Sequence, residues 1–201
     1  MSALLLLTLS CQVMPEAVPA PGLAATPAPA RVAQLGPDPD AAGRTAVLNH
    51  LLRYQRRSGL SERELAALAD TVIIESRRHD IDPALVLAVM HVESRFNTHA
   101  VSPADAMGLM QLLPSTGAWL APQVGVEWRG PQTLFDPTAN TRLGVAYLRQ
   151  LLDRYDGNLR TALLAYNWGP GRIDRRLRRG TALPREYAQL VFAAYTPDGS
   201  S

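Results

Sequence analysis

The stretch "DPALVLAVMHVESRF", Asp82 to Phe96, constrains the fold more than any other part of the chain. Asp82 has the chemistry of a helix N-cap and Pro83 that of a first helical residue. From Ala84 to Val92 the pattern is apolar on nearly every side, His91 excepted, so the helix has no face that prefers water and other elements must enclose it. It falls far short of the about 20 apolar residues that a bilayer span requires, which places it in the middle of a soluble domain. Glu93 closes this run. At the last turn it faces the negative end of the helix dipole, and burial penalises its charged form; both push its pKa up. A carboxylic acid kept protonated near neutrality is what a general acid needs when an alkoxide leaving group must receive a proton. From helix position alone, a buried structural glutamate bonded to its neighbours fits equally well.

The surroundings of this helix read as helical too. A helix is expected over Thr45 to Arg57, with Val47, Leu48, Leu51, Leu52 and Tyr54 leaving one face polar and Gly59 ending it. Ser61 and Glu64 form a capping-box signature, followed by Leu65, Leu68, Ala69, Val72 and Ile73 at helical spacing. A second Glu-Ser-Arg triplet, Glu75 to Arg77, rides near the charged end of that helix beside Arg78, His79 and Asp80; the expectation is a solvated surface carboxylate. With 47% hydrophobic residues in 201, the chain can bury one good core. The fold class is all-α.

Charge excludes some functions. The 20 basic residues are all arginine and outnumber the 18 acids only slightly, too little for a nucleic-acid-binding protein. His50, His79, His91 and His99 show no metal-ligand spacing, and no phosphate-binding glycine loop is present, so neither a metal nor a cofactor is expected.

The N-terminal residues point outward from the cytoplasm. The apolar run from Ala3 to Leu9 is too short to span a bilayer and reads as the hydrophobic part of an export signal, residues 1–11. Leu7, Thr8, Leu9, Ser10 and Cys11 resemble a bacterial lipoprotein cleavage box, in which Cys11, the single cysteine, carries the lipid and becomes the mature N-terminus; the alternative is an ordinary signal cut within the alanine and proline stretch, with Cys11 lost. Gln12 is not the aspartate that resembles an inner-membrane retention signal, which favours the outer membrane. Residues 12–43, rich in proline and alanine, read as a disordered, semi-rigid tether, ahead of a catalytic domain over residues 44–198.

Downstream, several separated motifs resemble the lytic transglycosylases of the soluble type, whose catalytic domain is similar to goose-type lysozyme. Glu93, Ser94 and Phe96 are followed by Ser102, by Gly108, Leu109, Met110 and Gln111, and by Pro114 and Thr116. A second motif runs Ala165, Tyr166, Asn167, Trp168, Gly169, Pro170, Gly171. Between them, Asp136, Pro137, Asn140, Gly144, Tyr147 and Leu148 resemble the family's connecting helix, and a closing segment with Tyr187 and Tyr195 also fits. The resemblance covers roughly Asp82 to Tyr195 and implies a compact lysozyme-like helical domain behind the tether. Asp105 stands where the family commonly has glycine; an exposed turn residue is expected.

The resemblance implies roles. Glu93 would be the sole acid and base, with Ser102 and Tyr166 orienting it or contacting the sugar, and Gln111 and Met110 in the glycan-binding set. Asn167 is expected to cap and shape the Gly-Pro-Gly loop at the site, Trp168 either to stack on a sugar or to pack the loop, and Tyr147 and Tyr155 to be structural. The implied reaction needs no second carboxylate, unlike most glycosidases: cleavage between N-acetylmuramic acid and N-acetylglucosamine, with the muramic residue's own hydroxyl closing an anhydro end. The implied partners are peptidoglycan strands and, through Cys11, a membrane, with a periplasmic location at the outer membrane. A hydrolytic muramidase dependent on a second carboxylate such as Asp105, and a catalytically idle wall-binding lipoprotein, are the alternatives. Any secretion or cell-wall machine served by the cutting is left unidentified by the sequence.

Overall fold

The long helices begin where side chains satisfy the backbone N–H groups that a helix start leaves open. Ser61 accepts from the Glu64 backbone N–H at 3.3 Å while Glu64 accepts from the Ser61 N–H at 2.8 Å, the reciprocal capping box. Asp82 accepts from Ala84 at 2.8 Å, Asp136 from Ala139 at 2.7 Å and Asn158 from Thr161 at 2.9 Å. These caps start α3 (Glu62–His79), α4 (Pro83–Ser94), α6 (Pro137–Arg154) and α7 (Leu159–Trp168). The computed structural model describes residues 40–195, which further form α1 (Ala41–Leu52), α2 (Gln55–Ser58), α5 (Pro114–Val124), a 3-10 turn (Pro131–Phe135), α8 (Pro170–Arg178) and α9 (Glu186–Ala194). The expected export signal, Cys11 and most of the expected tether lie outside the described residues. The first helix starts at Ala41, ahead of the expected Thr45, and the expected continuation to Arg57 divides at Tyr54 into α1 and α2. Gly59 ends α2 in the left-handed conformation, φ 71°.

Helix α4 is enclosed as its composition demands, with Leu85 to Met90 all buried. It packs against α1, α3 and α9, while α6 packs on α3, α5 and α7. Beyond α4, Arg95 and Phe96 both take positive φ, 51° and 63°. This reversal drives the fully buried Phe96 against Tyr54, with ring centroids 4.3 Å apart, and beside His50 and His91. Two left-handed residues in succession are costly outside glycine, and the buried ring is what holds them.

In the Glu-Ser-Arg triplet of α3, Glu75 is not a surface carboxylate. Glu75 is only 3% exposed and meets Arg78 at 3.1 Å, His79 at 3.5 Å and Arg142 of α6 at 3.5 Å. Glu75 lies three, four and seven residues after Val72, Thr71 and Leu68, all of them buried, so the helical period turns it inward with them. Its carboxylate is buried at the α3–α6 contact, where part-exposed arginines of both helices reach it, and the surface expectation is overturned.

The loop between α4 and α5 contains antiparallel bridges Val101 with Met107 and Met107 with Leu112. A single side chain of α6 organises it: Asn140 accepts from the Met110 backbone N–H at 2.8 Å and donates to the carbonyls of Met107 (3.0 Å) and Leu134 (2.9 Å). Gly108, φ 78°, passes so close to Leu134 that a methyl group there would overlap the Leu134 carbonyl oxygen. A methyl on Gly144 would likewise overlap the Met110 sulfur. The two glycines let the loop lie flat on α6.

Candidate active site

A cleft of about 340 Å³ opens where this loop faces the ends of α4 and α7 and the middle of α6. Its lining includes Glu93, Ser102, Gln111, Thr116, Tyr147, Tyr166, Asn167 and Trp168. Residues from four separate stretches of sequence thus meet at one carboxylate. Among the described residues lining the cleft, Glu93 is the only acid.

Glu93 projects from the last turn of α4. Ser94 secures that turn by donating to the carbonyl of Leu109, at 2.8 Å, as well as to Met90 within its own helix. Burial pushes the Glu93 carboxyl up to about 7, against a counteracting hydrogen bond from the Tyr187 hydroxyl, which reaches its Oε1 at 2.5 Å. Burial penalises the anion and the donated bond favours it; at about 7, burial wins and leaves the group able to give or take a proton near neutrality. The tyrosines around it remain donors: burial, and then the charge of Glu93, hold the hydroxyls of Tyr166 and Tyr187 well above the usual phenol range.

Tyr187 belongs to the closing motif, but nothing in the sequence gives it a task. Its contact with Glu93 spans 94 residues of chain, and no local pattern reports such a pair. Tyr166, expected beside Glu93, spends its hydroxyl on the Met110 carbonyl at 2.8 Å. It braces the loop and presents its ring to the cleft beside Tyr147, with centroids 5.2 Å apart. Tyr147 is therefore a wall of the cleft rather than plain core, whereas Tyr155 is structural as expected, its hydroxyl donating to Asp174 at 2.9 Å.

Met110 does not reach the cleft. Its side chain is 0% exposed and packs on Gly144, so direct glycan contact is ruled out and its contribution is the carbonyl that takes Tyr166. Gln111, at φ 49°, donates through its amide nitrogen to the carbonyls of Ala100 (3.1 Å) and Gly108 (3.0 Å), which leaves its amide oxygen as the group offered to a ligand. Ser102 Oγ accepts from the backbone N–H groups of Ala104 (3.2 Å) and Ala106 (3.1 Å), so its proton is available to donate. That turn needs Asp105 at φ 60°, a conformation in which aspartate is the usual substitute for glycine. Asp105 itself is exposed and does not line the cleft.

Asn167 does not cap the following loop: neither the end of α7 nor the start of α8 has a side-chain cap. It stands exposed on the rim. Trp168 is half-buried, with the guanidinium carbons of Arg172 and Arg176 at 5.1 Å and 5.7 Å from its ring. It lies on the wall that separates the cleft from α8.

Residues 70–188 match the family described as the Transglycosylase SLT domain. The chain is 38% identical over 121 residues to a transglycosylase of Enterobacteria phage PRD1, covering 54% of this chain and 42% of the phage protein. It is 38% identical over 109 residues to membrane-bound lytic murein transglycosylase C of Cronobacter sakazakii, covering 50% and 30%. The chain thus spans less than half the length of these curated relatives. Among solved structures, the lytic transglycosylase Slt of Pseudomonas aeruginosa superposes with a TM-score of 0.57 at 26% identity, over 78% of this chain and 28% of that one. The helices, the cleft and the family match over residues 70–188 place this chain in the Transglycosylase SLT domain family.

Proposed function

We propose that the protein is a peptidoglycan lytic transglycosylase in which Glu93 acts first as acid and then as base. The observation that carries this reading is a cleft with one carboxylate whose pKa, about 7, suits both roles. Protonated Glu93 gives its proton to the oxygen bridging N-acetylmuramic acid to N-acetylglucosamine, and the bond from that oxygen to the anomeric carbon breaks. Glu93, now ionised and held by Tyr187, takes the proton of the muramic residue's primary hydroxyl as that oxygen bonds to the anomeric carbon. The product is a 1,6-anhydro end, no water is consumed, and Glu93 is again protonated. Two-carboxylate glycosidases supply the nucleophile or its base from the protein; here the substrate supplies it, so orientation replaces the second acid. Tyr147 and Tyr166 give the sugar a rigid wall, the Gln111 amide oxygen and the Ser102 hydroxyl give it an acceptor and a donor, and Asn167 meets it at the rim.

The test incubates the protein with purified sacculi and reads released fragments by mass spectrometry. Anhydro ends that disappear in Glu93→Gln and persist in Asp105→Asn support the reading. Reducing ends would make the protein a hydrolase, and retention of the wall without release would make it a binder.

We place the protein at the cell envelope, held by a lipid on Cys11. The support is the box from Leu7 to Cys11 and the similarity to a membrane-bound transglycosylase. Radioactive palmitate should label the wild type and not Cys11→Ala; equal labelling of both, or of neither, removes the anchor.

A further inference from the structure

The Trp168 wall has a second side. Beyond it lies a shallow open basin formed by Asn167, Trp168, Gly169, Gly171, Arg172 and Arg175, sharing its first three residues with the catalytic cleft. The basin is basic. Arg172 and Arg175 sit one turn apart on the same face of α8, both are exposed, and among the described residues neither has a carboxylate partner. The acid on their own helix, Asp174, is committed elsewhere, to Arg154 and to the Tyr155 hydroxyl. The floor is open as well, because a side chain added at Gly169 or Gly171 would meet nothing within 4 Å. Two unpaired guanidiniums beside open space form a fork suited to carboxylates, which they can bind in bidentate fashion.

Resting on the transglycosylase reading, we propose that this basin is a subsite for the free carboxylates of the peptide stems that hang from the glycan strand. A strand held in the cleft passes the Trp168 wall, and its muramic residues carry those stems as side branches. Arg172, steadied over the Trp168 ring, and Arg175 meet the stem as the sugar settles on the other side. The enzyme thereby selects glycan that still carries acidic peptide over glycan stripped or neutralised there.

The experiment compares native sacculi with sacculi whose carboxylates have been converted to neutral methylamides, using wild type, the double variant Arg172→Gln/Arg175→Gln, and Arg178→Gln. Arg178 lies on α8 outside the basin, so its variant makes a charge change on the same helix without touching the site. Wild type and Arg178→Gln should release anhydro-ended fragments about three- to tenfold faster from native than from amidated sacculi at limiting substrate, as befits two exposed ionic contacts. The double variant should cut both equally, at the rate wild type shows on amidated wall. Equal wild-type rates on the two substrates, or a preference that survives the double variant, would overturn the proposal. Sedimentation of Glu93→Gln protein with the two wall preparations reads the subsite without catalysis. If wild type cuts neither wall while Glu93→Gln still prefers native wall through Arg172 and Arg175, the transglycosylase reading fails and the carboxylate site stands.

Discussion

Replacing Tyr187 with phenylalanine removes one hydroxyl from a buried site and leaves the ring that fills it. That hydroxyl donates to Glu93 Oε1 at 2.5 Å and lowers a pKa which burial otherwise drives up, to about 7 in the intact site. A hydrogen bond to a charged acceptor contributes about 1.5–3 kcal/mol, and about 1.4 kcal/mol corresponds to one pH unit in a pKa. Taking the low end, Glu93 in the variant should titrate about one unit higher, near pH 8. In the proposed reaction the first step needs the protonated acid, so kcat/KM falls as pH rises through this pKa, and the alkaline limb should move upward by the same amount. From the fractions protonated, the variant-to-wild-type ratio should rise about eightfold between about pH 6 and about pH 9, whatever overall loss comes from a less well held carboxylate. The assay is release of anhydro-ended fragments across that range, with thermal unfolding as a check that the variant folds. An alkaline limb that stays in place or moves to lower pH would refute the claim that Tyr187 stabilises the ionised form of Glu93.

The same carboxyl links stability to pH. Its folded pKa of about 7 lies above the ordinary 4.5, so the folded state keeps a proton that the unfolded chain releases; its contribution is fully present below pH 4.5 and lost as pH rises through 7. Glu93→Gln should therefore raise the denaturant-derived stability by about 3 kcal/mol at pH 8 and change it little at pH 4, and a variant less stable than wild type at pH 8 would contradict this. Asn140→Ala strips three hydrogen bonds from the buried loop clamp and should cost about 2–4 kcal/mol in urea unfolding while lowering kcat through a displaced Gln111. Glu75→Ala, which leaves Arg78, His79 and Arg142 facing a gap at the α3–α6 contact, should cost about 3 kcal/mol without changing the chemical nature of the products.

Much of this architecture follows from local chemistry and was legible in the chain. Ser61 with Glu64, and Asp82 with Pro83, satisfy N–H groups two or three residues away, so capping needs no knowledge of the rest of the fold. The apolar run of α4 could only be enclosed, and a glutamate at its last turn could only be pushed towards its neutral form. Asp105 in a left-handed turn and the breadth of the motifs from Glu93 to Tyr195 belong to the same class of signal.

What the tertiary structure alone decided concerns which faces meet. Periodicity tells that a face of α3 is buried, but the charge of Glu75 argued for solvent until Arg142 arrived from a helix 67 positions later to pair with it. Gln111 and Met110 are adjacent, yet one offers its amide oxygen to the cleft and the other is sealed on Gly144, because Asn140 of α6 sets the loop's register. Tyr187 reaches Glu93 only when α9 closes against α4. The sequence by itself determined the starts of the capped helices and the acid that ends α4, since these depend on contacts a few residues apart. Partners far apart in the chain come together only through packing, and the hydrogen bond that tunes the acid was decided there.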